Sequence, residues 1–480
     1  MTQARNLVTA PIAPALLMFA LPTLGSSVLQ SANGSIDAIW VGRLLGENAL
    51  AATTNGNLIM FLLTAFVFGF GMASTILIGQ SIGRGSLAAA KEVVGTAIGT
   101  FLPLALLIAV GGWWLAPQLL ALLGTPPETT GLAREFLRVT FFAMPGILMQ
   151  TMLMMALRGA GDSLTPLIFM ALAVVLDVIL NPIFILGLGP APQMGISGSA
   201  FAMALANYTS LAAMLAYIYW RRHPLSLHGK ELRLLIPARQ VLGLMLRKGL
   251  PIGLQMVVVS SSMLAMMTLV NAEGVDTTAA FGATQQLWTY VQMPAMALGA
   301  AVSAMAAQNI GAGRWDRVGR IARIGILYNL LLTGGLVLIL FAVEHQALAL
   351  FLGHDSAAVA IGTHIGRIAT WGFVAFGVTM VLFGVVRANG QVVWPLLILF
   401  ISLYPIRLGV AVGLRGWLGA DALWISFPVA MMATLTMASL LYLQGGWRRE
   451  TDMNINPDPE GIAPETQTVT AEAAPIQPKA

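Results

Sequence analysis

The chain has 480 residues and a formal net charge of +5; 57% of its residues are hydrophobic and only 9% are charged. Charged residues normally make up about 25% of a soluble domain. The composition, with a mean hydropathy of +0.81, therefore excludes a soluble protein and indicates an all-α integral membrane protein. The absence of cysteine excludes disulfides, thiolate metal sites and a cysteine nucleophile.

Apolar segments long enough to cross about 30 Å of hydrocarbon recur along the chain and predict twelve transmembrane helices. We place them at approximately 13–41, 49–79, 93–123, 136–157, 164–188, 194–220, 249–272, 277–307, 319–343, 364–386, 391–414 and 421–444. The predicted domains are an N-terminal segment 1–12, an N-lobe 13–220, a basic linker 221–248, a C-lobe 249–444 and a tail 445–480. The tail is rich in Pro, Thr, Glu, Ala and Gln without periodicity, which predicts disorder.

The distribution of basic residues predicts the orientation of the chain. With the N-terminus in the cytoplasm, 19 of the 25 Lys and Arg residues fall on the cytoplasmic side, in agreement with the positive-inside rule. We expect both termini, the linker and the tail to be cytoplasmic in a multi-pass plasma membrane protein, which in a Gram-negative cell means the inner membrane. The basic charge is a topology signal, and we expect no nucleic-acid partner. The first segment lacks the pattern of a cleaved signal peptide, so we expect it to be retained.

The two halves of the chain repeat each other. The stretch Gln80–Gly85 returns as Gln308–Gly313 after 228 residues, and the stretch 158–166 returns as 387–395 after 229 residues. Leu-Pro at 21–22 also returns at 250–251. Six spans per repeat make the halves parallel in topology. Two such lobes around a central cleft are typical of alternating-access transporters.

The first span carries a polar face at membrane depth. Ser26, Gln30, Asn33 and Asp37 are spaced four, three and four residues apart and so share one side of a helix. A charge in a membrane-spanning helix costs about 2.5–3.5 kcal/mol on insertion scales and usually marks an ion or proton path. We therefore predict that Asp37 is a coupling carboxylate, against the alternative that it only fixes helix packing.

A second polar face lies on the fifth span, where Asp177 and Asn181 are one turn apart and precede Pro182. Together with Asn33 and with Asn207 of the sixth span, they are the predicted partners of Asp37 in ion coupling. For the C-lobe, Asp37 maps onto Met266 by the 229-residue offset, and the acidic residues of that half are expected in loops or at span ends, Glu344 among them. Coupling is therefore predicted in the N-lobe alone.

The predicted substrate cavity consists of polar, aromatic and methionine side chains that suit flat cations. These residues are Gln30, Gln285, Trp288, Gln292, Met149 and Met256. Arg407, near the position equivalent to Asp177, is expected to pair with a carbonyl or carboxylate in a structural role. The glycine-rich stretches 79–85 and 308–313 lack the Lys-Ser/Thr of a P-loop and predict tight turns at helix ends.

Six short motifs in chain order resemble the multidrug and toxic compound extrusion (MATE) family over residues 10–445. They are Asp37 to Gly42, Gly79 to Gly85, Leu157 to Asp162 with Pro166, Leu180 to Pro182, Met194 to Gly198 and Ala306 to Gly313. The resemblance implies two pseudo-symmetric six-helix lobes and export of cationic amphipathic compounds in exchange for H⁺ or Na⁺. It also implies that protonation of the Asp37 carboxylate reshapes the first helix and expels the drug.

The chain resembles the DinF-like branch more than the branch that carries acidic residues in spans seven and ten. It departs from the DinF-like branch because Asp177 and Asn181 stand in reversed order. Met203 occupies a position that is small and polar in that branch, which weakens an oxygen-rich Na⁺ site and favours H⁺ as the coupling ion. The resemblance implies small-molecule drugs or toxic organic cations as partners, a monomer among membrane lipids, and no cofactor or metal.

Three other classes compete with a drug exporter. A lipid-linked oligosaccharide flippase of the same superfamily is the main alternative, but it would need several Arg or Lys in its cavity, and the spans hold almost only Arg407. A membrane enzyme would need clustered catalytic groups at one depth, for which only Asp37 and Asp177 qualify. A channel fits the lobe repeat least well. We therefore predict a secondary active antiporter and not an enzyme.

Overall fold

A computed structural model describes residues 7–122, 127–353, 356–449 and 455. The first half forms α1 (Ile12–Leu45), α2 (Glu47–Gly83), α3 (Leu87–Leu122), α4 (Pro127–Gly159), α5 (Leu164–Leu186) and α6 (Ile196–Trp220). The second half forms α7 (Arg239–Asn271), α8 (Val275–Gly311), α9 (Trp315–Leu352), α10 (Ala357–Ala369), α11 (Gly372–Ala388), α12 (Val393–Ile401), α13 (Arg407–Gly413), α14 (Arg415–Leu418) and α15 (Asp421–Gln444). A π-helical segment, Ser402–Ile406, joins α12 to α13.

The helices account for the twelve predicted spans. Eleven described helical segments are long and apolar enough to cross a membrane, and α10 with α11, bent by 47° at their junction, makes the twelfth. Four span boundaries were wrong by seven to ten residues. The fourth span, predicted from 136, begins at Pro127, and the seventh, predicted from 249, begins at Arg239, so that the predicted linker 221–248 ends in helix. The tenth span, predicted at 364–386, begins at Ala357 and breaks before Gly372. The ninth, predicted to end at 343, runs to Leu352. The predicted disordered tail lies outside the described residues from 450 onward, apart from residue 455.

The helices form two six-span lobes, α1–α6 and α7–α15, with buried apolar cores inside each lobe and across the contact between them. In the first lobe α2, α3 and α4 pack around residues such as Leu77, Phe101 and Phe141. In the second lobe α8, α11 and α15 surround Phe281 and Trp288. Large apolar side chains on the outside, including Leu107 and Trp114 of α3, are more than 70% exposed, as expected of a surface that contacts lipid.

The lobes meet most closely at one end of the bundle, which we call the basic end because it carries Arg84, Arg314 and residues 221–238, the part of the predicted linker that precedes α7 and that we call the linker from here on. There α1 packs on α8, α7 packs on α2, and α2 crosses α8. Asn309 of α8 donates to the carbonyl of Leu7 at 3.1 Å, and Tyr328 of α9 donates to the carbonyl of Ala13 at 3.1 Å. The start of α1 is therefore held by the opposite lobe.

Two glutamines make reciprocal bonds across the lobe interface at the basic end. Gln80 Nε2 of α2 donates to the carbonyl oxygen of Ala388, the last residue of α11, at 2.7 Å. Gln308 Nε2 of α8 donates to the carbonyl oxygen of Gly159, the last residue of α4, at 3.0 Å. The last carbonyls of a helix have no partner within it, so each lobe caps a helix of the other. We call this pair of bonds the clasp.

The glycine-rich repeats explain why the helices can approach so closely at the clasp. A Cβ on Gly83 would lie 2.0 Å from the carbonyl oxygen of Gln308, and one on Gly311 would lie 2.1 Å from that of Gln80. The tight turns predicted after these helices are confirmed, because Gly85 has φ +78° and Gly313 has φ +69°, a region that favours glycine. The glycine-rich stretches 79–85 and 308–313 therefore permit both a tight turn and the close contact between the lobes.

Candidate functional site

The two predicted polar faces lie against each other, because α1 and α5 pack side by side. Asn33 Nδ2 donates to Asp177 Oδ2 at 2.8 Å, and Asn181 Nδ2 donates to Asp37 Oδ1 at 2.8 Å. Asn33 Nδ2 also lies 3.3 Å from Asp37 Oδ2. Each helix thus offers one carboxylate and one amide, and they pair crosswise. We call these four residues the carboxylate–amide cluster.

The cluster has more acceptors than donors. The amide groups of Asn33 and Asn181 are the donors of its hydrogen bonds, yet the Oδ1 atoms of Asn33, Asp177 and Asn181 are buried with no hydrogen-bond partner among the described residues. Unpaired buried acceptors are costly, and two neighbouring carboxylates repel each other when both are ionised. A proton or a metal cation relieves both penalties, so the chemistry that this arrangement supports is the binding of a small cation.

The surroundings of the cluster give it one buried side and one accessible side. Asp177 and Asn181 on α5 are 2% and 0% exposed, whereas Asp37 on α1 is half-buried. Pro182 lies inside α5 directly after Asn181 and removes one backbone donor there. Gly34, between Asn33 and Asp37, is exposed, and a Cβ at that position would meet nothing within 4 Å.

The N-lobe contains a cavity of about 170 Å³ beside the cluster, with Gln30, Asn33, Asp177 and Asn207 on its wall. Asn207 does not bond to the cluster: its amide donates to the carbonyl of Met203 at 2.8 Å, one turn back on α6. Deeper in this wall, Gln150 donates to Ser210 at 2.9 Å and so ties α4 to α6.

The C-lobe contains a separate cavity of about 220 Å³. Its wall includes Gln285, Trp288 and Gln292, three of the predicted substrate residues. Trp288 Nε1 donates to Thr370 Oγ1 at 2.9 Å, at the bend between α10 and α11, which fixes the indole. The predicted cavity residues are therefore divided, with Gln30 in the N-lobe cavity and these three in the C-lobe cavity.

The two predicted methionines lie elsewhere. Met149 is 6% exposed within the apolar core of the N-lobe, and Met256 is half-buried on α7; both lie outside the walls of the two cavities. Met266, the counterpart of Asp37, is fully buried in the apolar core of the C-lobe. An ionised carboxylate at that place would be surrounded by hydrocarbon.

Two charged residues differ from expectation. Arg407 was expected to pair with a carbonyl or carboxylate, but within the described part of the chain its contacts are the Phe427 ring, 3.7 Å from the guanidinium carbon, and Met263 Sδ at 3.7 Å. Glu344 was expected at a span end, but it lies within α9, is 2% exposed, and its Oε1 has no hydrogen-bond partner. The polar dipeptide 344–345 after an apolar run suggested a helix end, and the helix continues through it.

Comparison with known proteins finds a family match in each half of the chain. The family profile described as MatE matches residues 22–183 and 251–412. Two proteins of Bacillus subtilis (strain 168) are similar over most of the chain. "Probable multidrug resistance protein YoeA" is 34% identical over 435 residues, which is 90% of this chain and 94% of that protein. "Probable multidrug resistance protein YpnP" is 30% identical over 436 residues, 90% of this chain and 95% of that protein.

A solved structure described as the outward-facing conformation of a multidrug resistance MATE family transporter of the MOP superfamily has the same fold. Its TM-score is 0.85 at 21% sequence identity, covering 92% of this chain and 98% of that chain. At this identity the likeness is one of fold, and it covers both lobes.

Proposed function

This chain belongs to the MATE family of transporters, and we propose that it is a secondary active exporter of drugs that takes up H⁺ in exchange. The observation that carries the proposal is the carboxylate–amide cluster, with two carboxylates, two amides and three unpartnered buried oxygens. A proton bound there gives a carboxyl group that donates to one of those oxygens. Release of the proton restores the negative charge of the carboxylate. Proton binding therefore changes the electrostatic interaction between α1 and α5.

The composition of the site supports H⁺ over Na⁺. Hard metal cations are held by about six oxygen ligands. On the α6 side the wall of the N-lobe cavity has Met203, whose thioether is a soft ligand and supplies no hard oxygen, beside Asn207, whose Nδ2 donates to the Met203 carbonyl. A proton needs only one carboxylate and one acceptor, both of which the cluster supplies.

The lobe arrangement supports transport by alternating access. The clasp joins the lobes at the basic end, whereas the hydrogen bonds described above for the cluster and for Trp288 each stay within one lobe. The excess of Lys and Arg assigns the basic end to the cytoplasm. The structure then corresponds to a state closed toward the cytoplasm, with both termini on that side of the plasma membrane, and opening it requires the clasp to separate.

The substrate class is the least constrained part of the proposal. The relatives' names support small-molecule drugs, and aromatic and amide side chains such as Trp288 and Gln292 suit planar organic cations. A lipid-linked oligosaccharide flippase is not favoured, because Arg407 is the only Lys or Arg on the two described cavity walls. We propose that the protein works as a monomer among membrane lipids and requires no cofactor.

Everted membrane vesicles with an imposed pH gradient test the proposal. We expect ethidium to accumulate in vesicles without Na⁺, and Asp37→Asn to reduce the accumulation to background, because an amide cannot exchange a proton. Asp276→Asn, which changes an exposed carboxylate in the first turn of α8, is the matched control and should transport normally. Accumulation that strictly requires Na⁺ would contradict H⁺ coupling, and full activity of Asp37→Asn at normal expression would contradict the role of the cluster.

A further inference from the structure

Arg407 is a buried cation without an anionic partner. The residue is 6% exposed and lies on the wall of the C-lobe cavity, and its Nε is buried with no hydrogen-bond partner. Its guanidinium stacks on Phe427 and reaches a thioether, contacts that leave its charge uncompensated within the described residues. A buried charge at membrane depth is usually paired or functional.

The local backbone aims this side chain into the cavity. The π-helical segment Ser402–Ile406 contains Pro405 and directly precedes Arg407. A π-turn accommodates one residue more than an α-turn, and such turns are frequent at functional sites. The extra residue advances the register, so that Arg407 lies on the cavity wall and Ile406 does not. A regular helix through this segment would place the side chain differently.

The two cavities are equivalent in the repeat and opposite in charge. Wall residues correspond at the 229-residue offset, for example Gln150 with Thr379 and Val174 with Leu403. Asp177 of the N-lobe wall maps by this offset onto Ile406, which is not on the C-lobe wall, and the next residue, Arg407, places its guanidinium there instead. Six of the twelve residues on the N-lobe wall have their counterpart on the C-lobe wall, whereas the charged residue differs in sign between the two cavities. A buried positive charge on a cavity wall suits a ligand group of negative charge.

We propose that the C-lobe cavity binds the carboxylate of a planar aromatic amphiphile, with Arg407 as its counter-ion. The inference refines the proposed function, on which its relevance to export rests, by assigning a carboxylate-binding subsite to the C-lobe cavity. A guanidinium pairs with a carboxylate through two parallel hydrogen bonds. The rings of Trp288, Phe373 and Phe376 on the same wall provide the surface for the aromatic part of the ligand.

Other side chains on the wall complete such a site. Gln285 and Thr289 lie one turn apart on α8 and supply polar groups beside the aromatic rings. The remaining wall is apolar, including Met263, Leu399 and Met431. A small number of polar groups in a largely apolar cavity is the usual composition of a small-molecule site.

Equilibrium binding to the purified full-length protein in lipid nanodiscs tests the inference without any ion gradient. The probes are 2-naphthoate, its methyl ester and ethidium. We expect the wild-type protein to bind the acid about tenfold more tightly than the ester, as a charge-assisted bond implies. Arg407→Gln should abolish this preference and Arg407→Lys should restore part of it. Ethidium should bind more tightly to Arg407→Gln, because the repulsion between cations is removed.

Arg415→Gln is the matched control, since this exposed arginine pairs with Glu273 at 2.5 Å outside the cavity; it should keep the preference for the acid. Equal binding of acid and ester to the wild-type protein overturns the inference even if the variants fail to fold. A preference that persists in Arg407→Gln overturns it too. The vesicle assay decides proton coupling separately, so an intact preference with failed H⁺ exchange refutes the antiport and leaves the anion site standing.

Discussion

From the clasp at the basic end we predict how the equilibrium between the closed and open states of the proposed alternating-access cycle changes when its bonds are removed. Replacing Gln80 and Gln308 by Leu removes both bonds that cross between lobes at this point while keeping side chains of similar volume. The carbonyl oxygens of Ala388 and Gly159 would then remain at the interface without these donors. When the lobes separate, water can reach both carbonyls. The substitutions therefore penalise the closed state more than the open state.

The size of the effect follows from burial. Gln80 is 4% exposed and Gln308 is 1% exposed, so water does not replace the lost donors in the closed state. Leaving one buried acceptor unpaired costs about 1–3 kcal/mol, which corresponds to a shift of about 5- to 150-fold in an equilibrium constant. The two sites are neighbours, since Gly83 contacts Gln308 and Gly311 contacts Gln80. Their effects should therefore be coupled and not simply additive.

Because the chain has no cysteine, spin labels can be attached at introduced cysteines alone. Labels at Leu87→Cys on α3 and Asp316→Cys on α9, both exposed at the basic end, report the separation of the lobes by electron–electron double resonance. We expect the wild-type protein to show mainly the short distance. Each single Gln→Leu variant should gain a longer component, and the double variant should gain more of it.

Gln150→Leu is the matched control, because this glutamine bonds to Ser210 within the N-lobe and does not cross between lobes. It should leave the distance distribution unchanged. If the double variant Gln80→Leu/Gln308→Leu gives the same distribution as the wild-type protein at every pH between 5 and 8, the clasp does not hold the lobes together and the reasoning fails.

Two further predictions concern the linker at the basic end. A Cβ on Gly99 would lie 1.7 Å from the carbonyl oxygen of Leu235. Gly99→Ala should therefore displace the linker and speed the amide hydrogen exchange of its backbone. Gly111→Ala, whose added Cβ would meet nothing within 4 Å, is the control and should leave the exchange unchanged. Burial opposes ionisation of Glu231, but its bonds to Lys91, at 2.7 Å, outweigh that effect and hold the pKa of Glu231 below its usual 4.5. The contact between Lys91 and Glu231 therefore stabilises the docked linker fully at pH values above 4.5, and this stabilisation is lost as the pH falls through the lowered pKa. Protease cleavage at 228–238 should increase on acidification, and cleavage that does not increase would contradict this.

Much of the fold follows from the sequence because it depends on local hydrophobicity and on the repeat. Apolar length determines the number of spans, and the 229-residue offset determines the two lobes. Helix ends were less predictable where polar residues occur inside a helix. Glu344 is buried within α9 because Gly366 of α10 leaves space for its carboxylate, and a contact between separate helices cannot be read from one of them.

The site was predictable within each helix and not between helices. The four-residue spacing placed Asn33 with Asp37 and Asp177 with Asn181, but the crosswise pairing depends on the relative height of α1 and α5. The reversed order of Asp177 and Asn181 acquires a physical meaning from this pairing, since every carboxylate faces an amide of the other helix. Opposite ordering on α5 would place carboxylate against carboxylate.

Helix α1 is the element that connects the cluster to the clasp region. Its outer half carries Asn33 and Asp37, its first turn is bonded to α9 of the opposite lobe through Ala13, and the segment just before it is bonded to α8 through Leu7. Pro22 lies between these two regions, and Ser26 Oγ donates to its carbonyl at 3.0 Å. A proline inside a helix removes a backbone bond and permits bending. A change of charge at Asp37 alters the attraction of α1 for Asn181. In the proposed alternating-access cycle, such a change at Asp37 would act along a helix that both lobes hold and that is weakened at Pro22, and would reach the contacts that must separate when the lobes move apart.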